Sequence, residues 1–401
     1  MGPLSGVKVI DMTTVLMGPS ATQALGQMGA DVLKVEAPEG DVTRQIGPAR
    51  HPGMAALYLN ANACKRSITL DLKRLEARAA LLEFIADADV LAFNIRPHAM
   101  RRLGLDWDSV RRGNPRLIYA AMVGFGQDGP YAAKPAYDDL IQGASGLAAM
   151  TAAAGDGTPR YAPAALADRI VGLAAVGAIC AALFERERTG VGSHIEVPMF
   201  ETMVGLTMSD HLAGQTFEPS LPGRGYDRLL SQHRRPFATK DGYICALVYT
   251  DRQWSAFLEQ IDMPDLADRD PRFLSFATRA AAVDHVYAFL AEVFAGRTTA
   301  EWMDMLEAAD VPVMPLHDAE SLMEDPHLIA TNFFREMDHP SEGRIRTMSS
   351  AIRWPGRGDV PLRPAPRQGE DGVAALRALG WSDERIEALA ESGALIIPGH
   401  P

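Results

Sequence analysis

Through its first half the chain alternates short, continuous apolar runs with longer stretches of helical period. Short runs read as strands buried on both faces; a period near 3.6 reads as helix. Val7–Asp11 predicts a strand, Pro19–Met28 a helix with Pro in its first turn, and Asp31–Glu36 a second strand. Ser67–Leu72 reads as extended, Leu75–Ala88 as helix, and Asp89–Asn94 and Arg116–Val123 as strands. Such β-α-β alternation predicts a parallel, doubly wound sheet with right-handed crossovers.

Gly124–Ala136 (GFGQDGPYAAKPA) interrupts the pattern, and its length suggests a functional loop. Asp138–Met150 reads as helix, Ala152–Pro163 as a Gly/Pro/Ala-rich loop, and Ala165–Arg188 as a long helix of small and apolar residues closed by Gly190. His194–Pro198 follows as a strand. The pattern assigns residues 1–213 to a large Rossmann-like α/β domain and 214–235 to a linker. It assigns 236–325 to a smaller α/β domain, with a strand at Gly242–Tyr249 and helices at Asp251–Ile261, Arg279–Phe294 and Thr299–Ala309. Residues 326–401 hold short strands from Asp338, a Pro-rich stretch and a helical end at Gly372–Ser392.

Composition narrows the function. Of 401 residues, 51 are acidic and 39 basic, for a net charge of -12, which disfavours a general nucleic-acid binder but leaves room for a local basic pocket. Cys64, Cys180 and Cys245 form no CxxC pair, so neither a disulfide scaffold nor a zinc site is expected, and a reducing, cytoplasmic setting is. The opening MGPLSGVKVIDM does not read as a signal peptide, and no run of about 18 uninterrupted apolar residues predicts a membrane span. HExxH, GxSxG and Walker motifs are absent, and no metal is expected.

Five features could carry chemistry. The turn after the first strand, TTVLMGPSA, has one glycine where a dinucleotide fingerprint needs three, which argues against NAD. Asp168 falls in the first turn of the long helix among small neighbours. The helix terminus should keep it ionised, as an accessible nucleophile or simply as a first-turn capping residue. Tyr137 and Asp138 precede a helix, where they could position a substrate or act as cap and packing residue. Lys65, Arg66, Lys73, Arg96, Arg101, Arg102 and Lys134 recur at strand ends and loops, suiting phosphate or plain solvation. Arg224, Arg228, His233, Arg234 and Arg235 suggest a dicarboxylate or another anionic acid, or a solvated linker.

Taken in order, several segments resemble the class III coenzyme A-transferases, the CaiB/BaiF or formyl-CoA transferase type. They include LSGVKVIDMTTVLMGPSATQALGQMGADVLKVEAPEGDVTR, NACKRSITLDLK, FNIRPHAMRRLGL, NPRLIYAAMVGFGQDGP and AYDDLIQGASGL. ALADRIVGLAAVGAICAALFERERTGVGSHIEVPMFE, RPFATKDGYICAL, VPVMPLHDAESLMEDPHL and GEDGVAALRALGWSDERI complete the series over nearly the whole chain. The resemblance implies CoA transfer between an acyl-CoA and a carboxylic acid, with Asp168 as nucleophile. It implies CoA contacts at Val15, Leu16, Leu70, Asp71, Leu72 and Lys73. Asn94, Ile95, Arg96 and Arg102 would hold adenine and phosphates, and Lys134, Tyr137 and Asp138 would lie near the pantetheine or thioester. The cationic character of their stretch, rather than the resemblance, assigns Arg228, His233 and Arg234 to the substrate acid. The resemblance also implies that residues 1–213 and 326–401 together form the large Rossmann-like domain, with 236–325 inserted as the small one; CoA and acyl-CoA are then substrates, no cofactor is permanently bound, and the partner is a second copy in an interlocked homodimer. Neither nucleic acid nor membrane is an expected partner. Two departures stand out: Ala37 occupies a position where some members carry a base, and the glycine run of formyl-CoA transferases is missing between Phe217 and Asp241. Alternatives are a 2-methylacyl-CoA racemase, whose relatives place His where this chain has Tyr137, and a non-catalytic CoA-binding subunit.

Overall fold

A computed structural model describes residues 2–223, 225–356 and 360–398; Arg224 lies outside the described residues. The chain divides into two units. The first comprises Met1–Ser145, Ala162–Gly205 and His327–Pro401; the second comprises Gly146–Tyr161 and Leu206–Pro326. Residues 146–161 and 206–213, which the sequence pattern left in the large domain, group with the second unit.

The first unit is built on six parallel strands: β1 (Lys8–Met12), β2 (Asp31–Glu36), β3 (Lys65–Leu70), β4 (Val90–Phe93), β5 (Ile118–Val123) and β6 (Ser193–Pro198). Their order is β3-β2-β1-β4-β5-β6, and the short C-terminal strand Leu395–Ile396 pairs antiparallel with β3. The α/β class and parallel sheet expected from the sequence are thus present. β4 and β5 are buried at every position, which is why their sequences VLAF and IYAAMV do not alternate. Strand order reverses beside β1, because β2 and β4 lie on its two sides. In open α/β sheets such a switch point, at the carboxyl ends of the strands, is where ligands bind.

Several boundaries differ from the sequence pattern. The first helix starts at Met17, two residues before Pro19. The stretch expected as one helix over Asp138–Met150 is two, Asp138–Ala144 and Leu147–Ala154. Gly146, at φ 84°, takes the left-handed backbone that ends regular helix between them. Arg279–Phe294 likewise splits into Phe276–Ala281 and Val283–Phe294, and the C-terminal stretch into Gly372–Ala378 and Asp383–Glu391. Met199–His211 forms a helix that the pattern did not predict.

The long helix Leu166–Thr189 is long and apolar enough by length and composition to cross a membrane. It packs against the helix Met17–Gln27 and against β5 and β6, burying Val171, Ala175, Ile179 and Leu183. Gly172 permits the helix contact, because a Cβ there would stand 2.7 Å from the Met17 carbonyl oxygen.

The second unit has its own core. Strands Phe237–Ala238, Tyr243–Ala246 and Val313–Pro315 form an antiparallel sheet. Trp254, Phe257, Phe294 and Trp302 belong to one buried cluster with Phe237 and Ile244. Three helices, starting at Asp251, Phe276 and Thr299, are opened by capping boxes at Thr250, Ser275 and Thr298.

Candidate active site

Two loops meet at the switch point. Asn94, after β4, accepts a hydrogen bond from the Thr14 N–H at 2.9 Å and donates to the Thr14 carbonyl at 2.8 Å. The amide thus fastens the β1 and β4 loops across the crevice. Next to Thr14, Val15 sits at φ 68° and its N–H donates to Asp41 Oδ1 at 3.3 Å. A β-branched residue in the left-handed region is strained, and such strain clusters at functional loops. Leu16 then opens the helix Met17–Gln27 without a side-chain cap. The uncapped first turn of a helix is suited to an anion.

The cations expected at strand ends divide into two groups. Lys65 is fully buried, with Nζ 2.9 Å from Asp11 Oδ2, 2.8 Å from Asn62 Oδ1 and 3.0 Å from the Pro19 carbonyl. Arg66 makes two bonds to Asp31, at 3.0 and 2.7 Å. Both are committed to carboxylates rather than open to phosphate. By contrast, Arg96, Arg101 and Arg102 are exposed around the helix Pro97–Leu103, with no carboxylate partner among the described residues. Of the β3-end residues, Leu70 is buried, Asp71 and Leu72 are half-buried, and Lys73 is exposed, 3.9 Å from Glu39. Ile95 is half-buried beside Asn94. Lys134 stacks its ammonium 3.7 Å from the centre of the Tyr131 ring.

Asp168 is 9% exposed, in the first turn of the long helix. Its backbone N–H donates to Asp138 Oδ1 at 2.9 Å, and Asp138 Oδ2 accepts from Gln142 Nε2 at 2.6 Å. Gln142 is itself fixed: its Oε1 accepts from the Ala162 N–H at 2.8 Å, and its Nε2 also reaches the Ala164 carbonyl at 3.3 Å. Asp138 and Gln142, one turn apart on one helix, thereby hold both the residues leading into the long helix and its first turn. Gln142 escaped the sequence reading, although its i,i+4 spacing from Asp138 was a usable signal. Next to Asp168, Arg169 Nη1 donates to Ser20 Oγ at 2.6 Å.

The Asp168 carboxylate accepts no hydrogen bond from any described residue. Burial pushes its carboxyl up to about 6, the negative charge of Asp138 adds to the rise, and Arg169 opposes it. The helix terminus was expected to favour the anion, but desolvation and the like charge outweigh it. The carboxylate remains mostly ionised at neutral pH.

Tyr137 is 67% exposed and forms the N-cap position of its helix, so it is not the packed tyrosine of the alternative reading. In the second unit, Arg228 and Arg234 line one cavity together with Arg235; His233 is not among its lining residues. Among the described residues, no group of three His, Cys, Asp or Glu is placed to hold a metal ion.

A family model described as CoA-transferase family III matches residues 4–372. The chain is 37% identical over 385 residues to an acetyl-CoA:oxalate CoA-transferase of Acetobacter aceti, covering 94% of this chain and 95% of that one. It is 30% identical over 396 residues to a human succinyl-CoA:glutarate CoA-transferase, covering 98% and 89%. The crystal structure of a CaiB/BaiF family protein from Brucella suis superimposes with a TM-score of 0.78 at 31% identity, covering 94% of this chain and 99% of that one. The chain belongs to CoA-transferase family III, and it is a CoA-transferase.

Proposed function

We propose that Asp168 is the nucleophile through which this chain moves CoA from an acyl-CoA donor to a carboxylic acid acceptor. One observation carries the reading: a buried carboxylate without a single hydrogen-bond donor of its own, on a backbone fastened by Asp138 and Gln142. Structural carboxylates are buried with donors; one left bare is available to a substrate.

The steps balance without added reagents. An Asp168 oxygen attacks the thioester carbonyl carbon; the C–O bond forms, the C–S bond breaks, and CoA leaves as thiolate. The thiolate attacks the aspartyl carbonyl of the mixed anhydride and expels the donor acid as carboxylate, leaving an aspartyl-CoA thioester. The acceptor carboxylate displaces the thiolate in turn. The thiolate then attacks the acceptor's acyl carbon and releases Asp168. Each step conserves acyl-transfer potential, so water must be excluded. Backbone N–H groups near the start of the long helix would stabilise the developing oxyanions.

CoA is proposed to lie at the switch point, with Val15, Leu16, Leu70–Lys73 and Asn94–Arg96 near its body, Arg102 near phosphate, and Lys134 and Tyr137 near the thioester. The active species is proposed to be the interlocked homodimer. The test is a mass-spectrometric exchange assay with acetyl-CoA and succinyl-CoA donors against a pool of acids, with Asp168→Ala as control. New acyl-CoA species formed by the wild type alone support the reading. Equal turnover by the variant removes Asp168 from the chemistry. Deuterium entering the α-carbon of a 2-methylacyl-CoA would favour the racemase alternative.

A further inference from the structure

The second unit carries two cavities, one of them lined by the Arg228 and Arg234 that the sequence assigns to the substrate acid. One, of about 410 Å³, is lined by Arg228, Arg234 and Arg235 over an apolar floor that includes Phe237 and Met314. The other, of about 280 Å³, is lined by Tyr226, Tyr249, Trp254 and Phe276 among other apolar residues. Arg228, Leu247 and Tyr287 line both.

The charges are distributed unevenly. Arg279, on the aromatic cavity, is committed: it pairs with Asp251 and donates to the Phe273 carbonyl at 2.9 Å. Arg228 has no carboxylate partner among the described residues; its guanidinium lies 5.5 Å from the centre of the Tyr249 ring. Arg234 and Arg235 also lack a carboxylate partner among the described residues. Three uncommitted guanidiniums beside an apolar floor form an anion-selective edge. Asp227 lines the aromatic cavity and repels an anion there, which leaves the arginine edge for the charged end of a ligand. Tyr226, Leu247, Tyr249 and Phe276 are large apolar side chains that remain exposed. Apolar surface gathered around a cavity marks a binding site.

We propose that this unit binds a carboxylic acid with an apolar, ring-sized body. The carboxylate lies on Arg228, Arg234 and Arg235, and the body against Tyr249, Phe276 and Trp254. The dicarboxylate suggested by the arginine-rich sequence fits less well, because a second carboxylate would face aromatic rings and Asp227. The site stands on the geometry of this unit and does not rest on the transferase reading.

Isothermal titration of the full chain with phenylacetate, phenylacetamide and glutarate tests it. Phenylacetate is expected to bind about tenfold or more tighter than either of the others, since charged hydrogen bonds and ring burial each contribute that much. Arg228→Gln should weaken phenylacetate about tenfold. Because Arg228 stacks on Tyr249, the exposed pair Arg234→Gln and Arg235→Gln provides a second variant that tests the same edge without touching the ring. Phe276→Ala should weaken phenylacetate and leave glutarate unchanged. Equal binding of phenylacetamide, equal binding of glutarate, or no effect of the arginine variants overturns the proposal. So does CoA, if it displaces phenylacetate and itself loses affinity in the arginine variants, because the edge then serves phosphate. Binding needs no turnover, so Asp168→Ala should titrate like the wild type, and the two readings fail separately.

Discussion

Asp11 and Asp168 are both buried aspartates of the first unit, and their surroundings drive them in opposite directions. Asp11 is wholly buried, with Lys65 Nζ at 2.9 Å and the hydroxyls of Thr13 and Thr22 at 2.5 and 2.7 Å. Burial by itself would raise its carboxyl, but Lys65, Lys34 and the two hydroxyls hold it at about 2. Burial pulls Lys65 down to about 8, which still leaves it charged at neutral pH. The network continues through Lys34 to Asp41 at 2.9 Å, and through Glu36 to Arg44 at 2.7 Å. Asp168 has equal reason to want partners and has Asp138 instead. Burial alone therefore says nothing about role. The inventory of donors separates a carboxylate that holds the fold from one that is kept for chemistry.

Substituting asparagine at each position tests that division most directly. Asp168→Asn should lower transfer by about 10³-fold or more, since the amide cannot form the anhydride. It should leave folding intact, and at pH 8 raise stability by about 1–3 kcal/mol, because a desolvated charge beside Asp138 is gone. Asp11→Asn should do the reverse to the fold: the Lys65 ammonium is left buried without its counter-ion, at a cost of about 3–5 kcal/mol. Urea unfolding of both variants is the measurement. Matching stability losses would erase the distinction.

A pH series sharpens it. The folded-state carboxyl of Asp168 is raised from 3.8 to about 6, so its contribution to stability is full below pH 3.8 and is lost as pH rises through about 6. That of Asp11 is lowered from 3.8 to about 2, so its contribution is present above pH 3.8 and is lost as pH falls through about 2. Transfer should therefore fall as pH drops below about 6, by tenfold per unit, as the nucleophile protonates. Asp138→Asn keeps an oxygen for the Asp168 amide while removing the like charge, and should move that midpoint downward. A midpoint unmoved in Asp138→Asn would leave burial as the sole cause.

The sheet was legible because buried parallel strands write themselves as apolar runs, as in VLAF and IYAAMV. Asp168 was legible in position, since a Gly/Pro-rich loop before a long apolar helix places it in a first turn. The rise of its carboxyl was not, because the like charge of Asp138 lies thirty residues away in sequence and meets it only in the fold. The same holds for Lys65: next to Arg66 it reads as a strand-end cation, and only β1 running beside β2 and β2 beside β3 brings Asp11 to it. The helix break at Gly146 needed a left-handed backbone, which glycine permits without announcing.

Asn94 tests the crevice at a smaller scale. Asn94→Ala removes both bonds to Thr14, each worth about 1 kcal/mol. We expect a stability loss of about 1–2 kcal/mol and a rise in KM for acyl-CoA with little change in kcat, because the residue positions loops and does not react. A fall in kcat alone would place it in the chemistry instead.

Val15 carries the smallest effect and the most specific question. At φ 68° a valine costs about 1–2 kcal/mol over relaxed backbone. Val15→Gly removes that strain but adds about 0.5–1 kcal/mol of chain entropy to be lost on folding. The net gain should stay below about 1 kcal/mol, a rise in Tm of a few degrees at most. If the strain serves to aim the β1 loop at CoA, the more stable variant should bind acyl-CoA less well, and calorimetric titration with CoA reads that directly. Higher stability with unchanged CoA affinity would make the strain incidental. Lower stability would mean that the valine side chain, rather than the backbone, is what the position needs. Asp168 and Val15 would then part company: one held in an unfavourable state for chemistry, the other merely tolerated in one.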